Sequence, residues 1–139
     1  MLRLFGCMEQ QTKKQQPVQL AVYTRALQAI TSLRSVVAQL SRQDRSLADQ
    51  LRRAASSILL NLAEGYGSSG GNKRLRYTTA LGSQREVIAA LDSALAWGLL
   101  TNTQHQALFA SYDHIGAMLY RLLHPNHTSR VSQAQDNLT

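Results

Sequence analysis

From Tyr77 to Leu95 the chain reads YTTALGSQREVIAALDSAL. Tyr77, Leu81, Gln84, Ile88, Leu91 and Leu95 recur at steps of four, three, four, three and four, nearly a strict heptad. Those steps place side chains on one face of an α-helix, whereas a strand would alternate at every second residue. Trp97-Gly98 closes the stripe, and Thr101 or Thr103 is suited to cap a following helix. That helix carries Leu108, Tyr112, Ile115, Leu119 and Leu122, and His124-Pro125-Asn126 ends it because proline cannot continue the ladder.

Upstream, Gly65-Tyr66-Gly67-Ser68-Ser69-Gly70-Gly71-Asn72 is the clearest break. It offers a glycine for a helix C-terminus and an Asn72 suited to start the next helix. Before it, Leu47, Leu51, Ala54, Ile58, Leu62 and Gly65 form a second stripe. Ser41-Arg42-Gln43-Asp44 separates that from a first stripe of Leu20, Tyr23, Leu27, Ile30, Leu33, Val37 and Leu40, with Pro17 at the helix start. No strand pattern competes. Short connections make successive helices antiparallel neighbours, so the expected fold is all-α, an up-down-up-down four-helix bundle over residues 17–123. Residues 1–16 are expected to be a flexible N-terminal segment and 124–139 a disordered tail.

A length of 139 residues fits one domain, and 44% hydrophobic with 17% charged residues supports a core and excludes wholesale disorder. The opening seven residues lack the apolar run of a signal peptide, and no stretch approaches the roughly 20 apolar residues of a membrane span. The single cysteine, Cys7, allows no internal disulfide and no cysteine-based zinc site. Together these point to a cytoplasmic protein without a membrane partner.

The net charge of +7 is lopsided. Residues 1–86 hold thirteen Lys or Arg against five Asp or Glu, and residues 87–139 hold two against three. Arg45, Arg52, Arg53, Lys73, Arg74, Arg76 and Arg85 gather around the central hairpin. Six of the seven are arginine, which forks onto phosphate. Lys73, Arg74 and Arg76 are expected in the first turn of the third helix, where the macrodipole prefers acidic groups, so an outside anion is indicated. The competing explanation is ion pairing with Asp44, Asp49, Glu64 and Glu86, enough for about half of the cations.

At 100° per residue, Arg53, Ser57, Leu60 and Glu64 fall opposite Leu51 and Ile58, leaving Leu60 pointing away from the core. Thr78, Gly82, Ala89 and Ala96 make a strip of small residues outside the heptad. Small side chains let a second backbone approach, which suggests a homo-oligomer. Asn61 flanks the second stripe and is expected to hold register or a loop by hydrogen bonding.

No catalytic constellation emerges. The glycine-rich loop follows a helix rather than a strand, and Arg74 stands where a phosphate loop needs Ser or Thr after Lys73. Its glycines and serines fit a flexible connection. His105, His114, His124 and His127 lack the Glu-x-x-His spacing of di-iron bundles. The expectation is no enzyme, no metal and no cofactor.

The run Ser57-Ile58-Leu59-Leu60-Asn61-Leu62-Ala63-Glu64-Gly65 resembles the Ser-Ile-Pro-x-Asn-Ile-Ala-Glu-Gly signature of four-helix-bundle proteins encoded in intervening sequences of bacterial large-subunit ribosomal RNA genes. The resemblance extends upstream through Leu51-Arg52-Arg53-Ala54-Ala55 and downstream through Leu81-Gly82-Ser83-x-x-Glu86 to Gly98, covering about residues 18–123. Leu59 replaces the family's proline, and Arg85 replaces a small or apolar residue. The resemblance implies homopentamers around a basic channel. It also implies kinship with the accessory variability proteins of diversity-generating retroelements, which bind a reverse transcriptase and nucleic acid.

These readings converge on a non-enzymatic, homo-oligomeric RNA- or DNA-binding accessory protein, assisting a reverse transcriptase or an rRNA-linked process. Arg52, Arg53, Lys73, Arg74, Arg76 and Arg85 would contact phosphates with little sequence specificity. Ser57, Leu60, Asn61, Glu64, Gly65, Gly82 and Glu86 would serve structure or the oligomer interface. The alternative is an adaptor that docks an acidic partner protein without touching nucleic acid.

Overall fold

The computed structural model describes residues 16–125. Among them are four helices and no strand: α1 (Gln16–Ser41), α2 (Arg45–Tyr66), α3 (Gly70–Ala96) and α4 (Asn102–Leu123). The expected flexible segment (1–16) and tail (124–139) lie outside the described residues, apart from Gln16, His124 and Pro125. Each helix packs on its chain neighbour and α1 packs on α4, so the four enclose one core as a four-helix bundle.

Local chemistry explains the helix ends. Asp44 caps α2 by accepting a hydrogen bond from the Leu47 amide at 3.0 Å, so this carboxylate serves the helix terminus rather than an arginine. Thr101 caps α4 in a reciprocal box with Gln104, at 3.1 and 3.0 Å. At the end of α3 the Leu99 amide reaches Ala94 O at 2.8 Å and the Gly98 amide reaches Leu95 O at 2.9 Å. This Schellman closure requires a left-handed residue, and Gly98 supplies it at φ 73°. Asn72 does not start α3. Extended Ser69 (φ −134°, ψ 159°) precedes the helix, and Asn72 sits inside it, donating to Ser68 Oγ at 3.4 Å.

The α2 stripe is buried as expected, from Leu47 through Gly65. On α1 and α3 the buried face is rotated from the expected one. Val22, Ala26, Ala29 and Val36 join Tyr23, Leu33 and Leu40 in the core, while Ile30 and Val37 lie on its flank. On α3, Ala80, Val87, Ala90 and Ala94 are buried with Tyr77 and Leu91, and Leu81 and Ile88 flank them. Alanines let two helices approach closely, and the larger side chains then fill the outer seams. On α4, Leu123 is buried and Leu122 lies on the flank of the core.

The core also holds polar groups. Buried Gln84 donates to Tyr112 O at 2.9 Å and lies over Gly116, where an added Cβ would meet its Nε2 at 2.6 Å. The Tyr77 and Tyr112 hydroxyls are buried and bond to nothing among the described residues. A buried, unbonded hydroxyl costs about 1–3 kcal/mol, so Tyr112→Phe is expected to leave stability unchanged or raise it by about 1 kcal/mol, measured by denaturant midpoint. Burial, reinforced by neighbouring Tyr66, pushes Tyr77 up to about 12, and burial pushes Tyr112 up as well. Above the ordinary tyrosine value of 10.0 the unfolded chain therefore ionises first and binds fewer protons than the fold. Stability is expected to fall as pH rises through that window, less steeply in Tyr112→Phe.

Candidate nucleic-acid interface

The α2–α3 hairpin carries the cationic cluster, and polar contacts lock its two helices together. Ser57 Oγ lies 2.8 Å from Ser83 Oγ, and Asn61 Nδ2 donates to Ser57 O at 2.8 Å and to Ser57 Oγ at 3.1 Å. Asn61, bonded within α2, thus holds the Ser57 hydroxyl that bridges to α3. Ser57 is not turned fully outward as the helical wheel placed it, because it faces α3. Gly65 admits the Tyr77 ring: a Cβ there would meet Tyr77 Cε1 at 2.5 Å and Arg76 Cβ at 3.2 Å. Ser57, Asn61 and Gly65 therefore hold the subunit together. Leu60, 61% exposed, points outward, and Gly82 is exposed with nothing within 4 Å of an added Cβ.

Around this frame Arg52, Arg53, Arg74 and Arg85 are exposed, and Lys73 and Arg76 are half-buried. Arg52, Arg53, Arg76 and Glu64 share a groove with Leu60 and Asn61. Carboxylates neutralise fewer cations than the pairing explanation required. Arg76 Nη1 meets Glu64 Oε2 at 2.8 Å, and Arg52 comes only within 4.0 Å of Asp49. Arg45, Arg53, Lys73 and Arg85 make no ion pair among the described residues, and Glu86 takes no cation. Glu86 does line a second groove with Arg53 and Ala89.

Two expectations change. Because α3 begins at Gly70, Lys73 is its fourth residue and Arg74 and Arg76 lie in the second turn. The macrodipole penalty inferred for them is correspondingly weaker. Arg74 is also partly committed, since its Nη1 donates to Leu123 O at 3.0 Å and closes the end of α4. No sequence signal reveals a bond across 49 residues. Sequence reasoning also missed Arg34, an exposed residue that shares a groove with Arg45 and Arg52. Its spacing on α1 sets it beside the core stripe, but only the α1–α2 packing brings it to those arginines.

The Arg76–Glu64 pair joins side chains 40% and 55% exposed, where water screens the attraction. Glu64→Gln is expected to change stability by less than about 0.5 kcal/mol in thermal melts. The same substitution frees Arg76, and if this face grips RNA the affinity should rise a few-fold at low salt, read by fluorescence anisotropy.

The family model for the 23S rRNA-intervening sequence protein matches residues 18–121. The chain belongs to that family. A crystal structure of a protein of unknown function from the S23 ribosomal protein family of Bacteroides thetaiotaomicron superposes with a TM-score of 0.68. The two share 15% identity over 76% of this chain and 97% of the other, so the likeness concerns fold. Comparison with curated proteins gives no match. The family match spans all four helices of this intervening-sequence protein, including the Ser57–Gly65 segment and the Leu81–Glu86 element. Among the described residues no helix is long and apolar enough to cross a membrane, and no group of three or more His, Cys, Asp or Glu could hold a metal.

Proposed function

We propose that the protein is a non-enzymatic, homo-oligomeric nucleic-acid-binding accessory that grips the phosphate backbone, in an rRNA-linked or reverse-transcription process of the cytoplasm. One observation carries this reading: Arg53, Lys73 and Arg85 lie on the α2–α3 hairpin without any carboxylate partner among the described residues. Cations left unpaired on the hairpin attract a polyanion, and arginine matches phosphate geometry. Arg52 adds to them, while Arg74 and Arg76 contribute charge beside their structural bonds. The family name, which points to 23S rRNA, favours RNA as the partner.

The helices run antiparallel in this reading. Along α3 and α4, Arg74 meets Leu123, Gln84 meets Tyr112 and Asp92 meets His105, numbers rising on one helix as they fall on the next. Self-assembly is supported by the outward Leu60 and by the strip of Thr78, Gly82, Ala89 and Ala96, all four exposed. The family resemblance supplies the count of five, and with it the kinship that makes a reverse transcriptase a candidate partner. Repetition around a ring would multiply each cation into a continuous belt.

The test is anisotropy of labelled random-sequence RNA and DNA across a salt series. Affinity falling steeply with salt is the expected result. Binding indifferent to salt, or none at moderate salt, overturns the proposal and leaves the adaptor reading.

A further inference from the structure

We infer that the groove between α1 and the first half of α2 docks an acidic amphipathic helix of a partner protein. The groove encloses about 580 Å³, within the usual range of ligand sites. Part-exposed Ile30 and Val37 and exposed Ala38 give it an apolar floor, laid over the buried Leu33, Ala48 and Ala55. Exposed Arg34, Arg45 and Arg52 stand over it, and Asp49 is the only carboxylate among its lining residues. Asp49 lies 4.0 Å from Arg52, a loose contact between exposed groups that leaves the surround positive.

Floor and rim together select the occupant. A bare polyphosphate would meet the arginines and leave the apolar floor in water. An uncharged apolar segment would fill the floor and leave Arg34 and Arg45 beside it without a counter-charge. A helix with apolar side chains at i, i+4 and i+7 and carboxylates on both flanks satisfies both at once. The lining residues on α1 run from Ile30 to Ser41, roughly 17 Å at 1.5 Å per residue, enough for three turns of such a helix.

The chain's own segments are poorly matched in charge. Residues 1–15 carry Arg3, Lys13 and Lys14 against Glu9, and residues 126–139 carry Arg130 against Asp136. A second copy offering Leu60 would bring Arg52, Arg53 and Arg76 with it. A separate acidic partner remains. The site shares only Arg52 with the phosphate face and does not depend on it.

Titrating the full chain with a labelled helical peptide of about 14 residues, leucines on one face and glutamates flanking them, tests the assignment. The expected result is saturable binding, weakened more than about tenfold both by replacing the glutamates with lysines and by the double change Arg34→Glu, Arg45→Glu in the protein. Both arginines are exposed, and an acid at the first residue of α2 suits the helix dipole, so circular dichroism should show the variant folded. Equal binding of a scrambled peptide of the same composition, or an unchanged affinity in the folded double variant, overturns the inference. Neutralising Arg53, Lys73 and Arg85 should leave peptide binding within about twofold while weakening RNA, so failure of either site is read without the other.

Discussion

Gly65→Ala is expected to lower the stability of the bundle by about 1–2 kcal/mol, although alanine is the better helix former. The new methyl would sit 2.5 Å from Tyr77 Cε1 and 2.8 Å from Cδ1, distances at which something must move. Tyr77 is 4% exposed, so its ring has no free space to enter, and Arg76 Cβ closes the other side at 3.2 Å. Overpacking of this kind costs about 1–3 kcal/mol, and the helix propensity of alanine returns up to about 1. For a domain of this size the melting temperature should drop by roughly 4–10 °C, measured by calorimetry. Tyr77→Phe should give no relief, because the obstructing atoms are ring carbons. Tyr77→Leu in the same chain should recover part of the loss, a coupling that a double-mutant cycle would quantify. An unaltered melting temperature for Gly65→Ala would mean that α2 and α3 are not pressed together at this point.

The largest functional effect is expected from Arg53→Gln, Lys73→Gln and Arg85→Gln combined. None of the three side chains makes an ion pair or a hydrogen bond among the described residues, so the fold should survive their replacement. If each neutralises one phosphate, the slope of log affinity against log salt should become shallower by about 2 per subunit for single-stranded RNA. At low salt, affinity should fall roughly 10- to 100-fold. Arg74→Gln alone is less informative, because it also removes the bond to Leu123 O. A slope identical to that of the parent chain would show that the cations of the hairpin do not meet phosphate.

The four helices were legible because their apolar residues keep a period of three to four and because Asp44, Thr101, Gly98 and Pro125 punctuate them. Less legible was the direction each helix faces. Periodicity weights a stripe by its largest residues, yet packing here buries Ala26, Ala29, Ala80 and Ala94 in the core and displaces Ile30 and Ile88 to the edge. The start of α3 was not legible because Ser69 and Asn72 cap about equally well by residue type, and Ser69 takes the cap conformation without a side-chain bond that a pattern could reveal. The cationic cluster was visible as composition. Which arginines stay free was not, since the Arg76–Glu64 and Arg74–Leu123 bonds join residues distant in sequence and appear only after the helices pack.

Gly82 carries a consequence of its own. A helical glycine forgoes roughly 1 kcal/mol relative to alanine, and around this one the subunit puts nothing that a methyl would displace. A bundle that functioned alone would be sturdier with that notch filled. In the proposed assembly that notch would let a neighbour's backbone lie flush against α3, so Gly82→Ala should steady the lone protomer while loosening its association with a second copy.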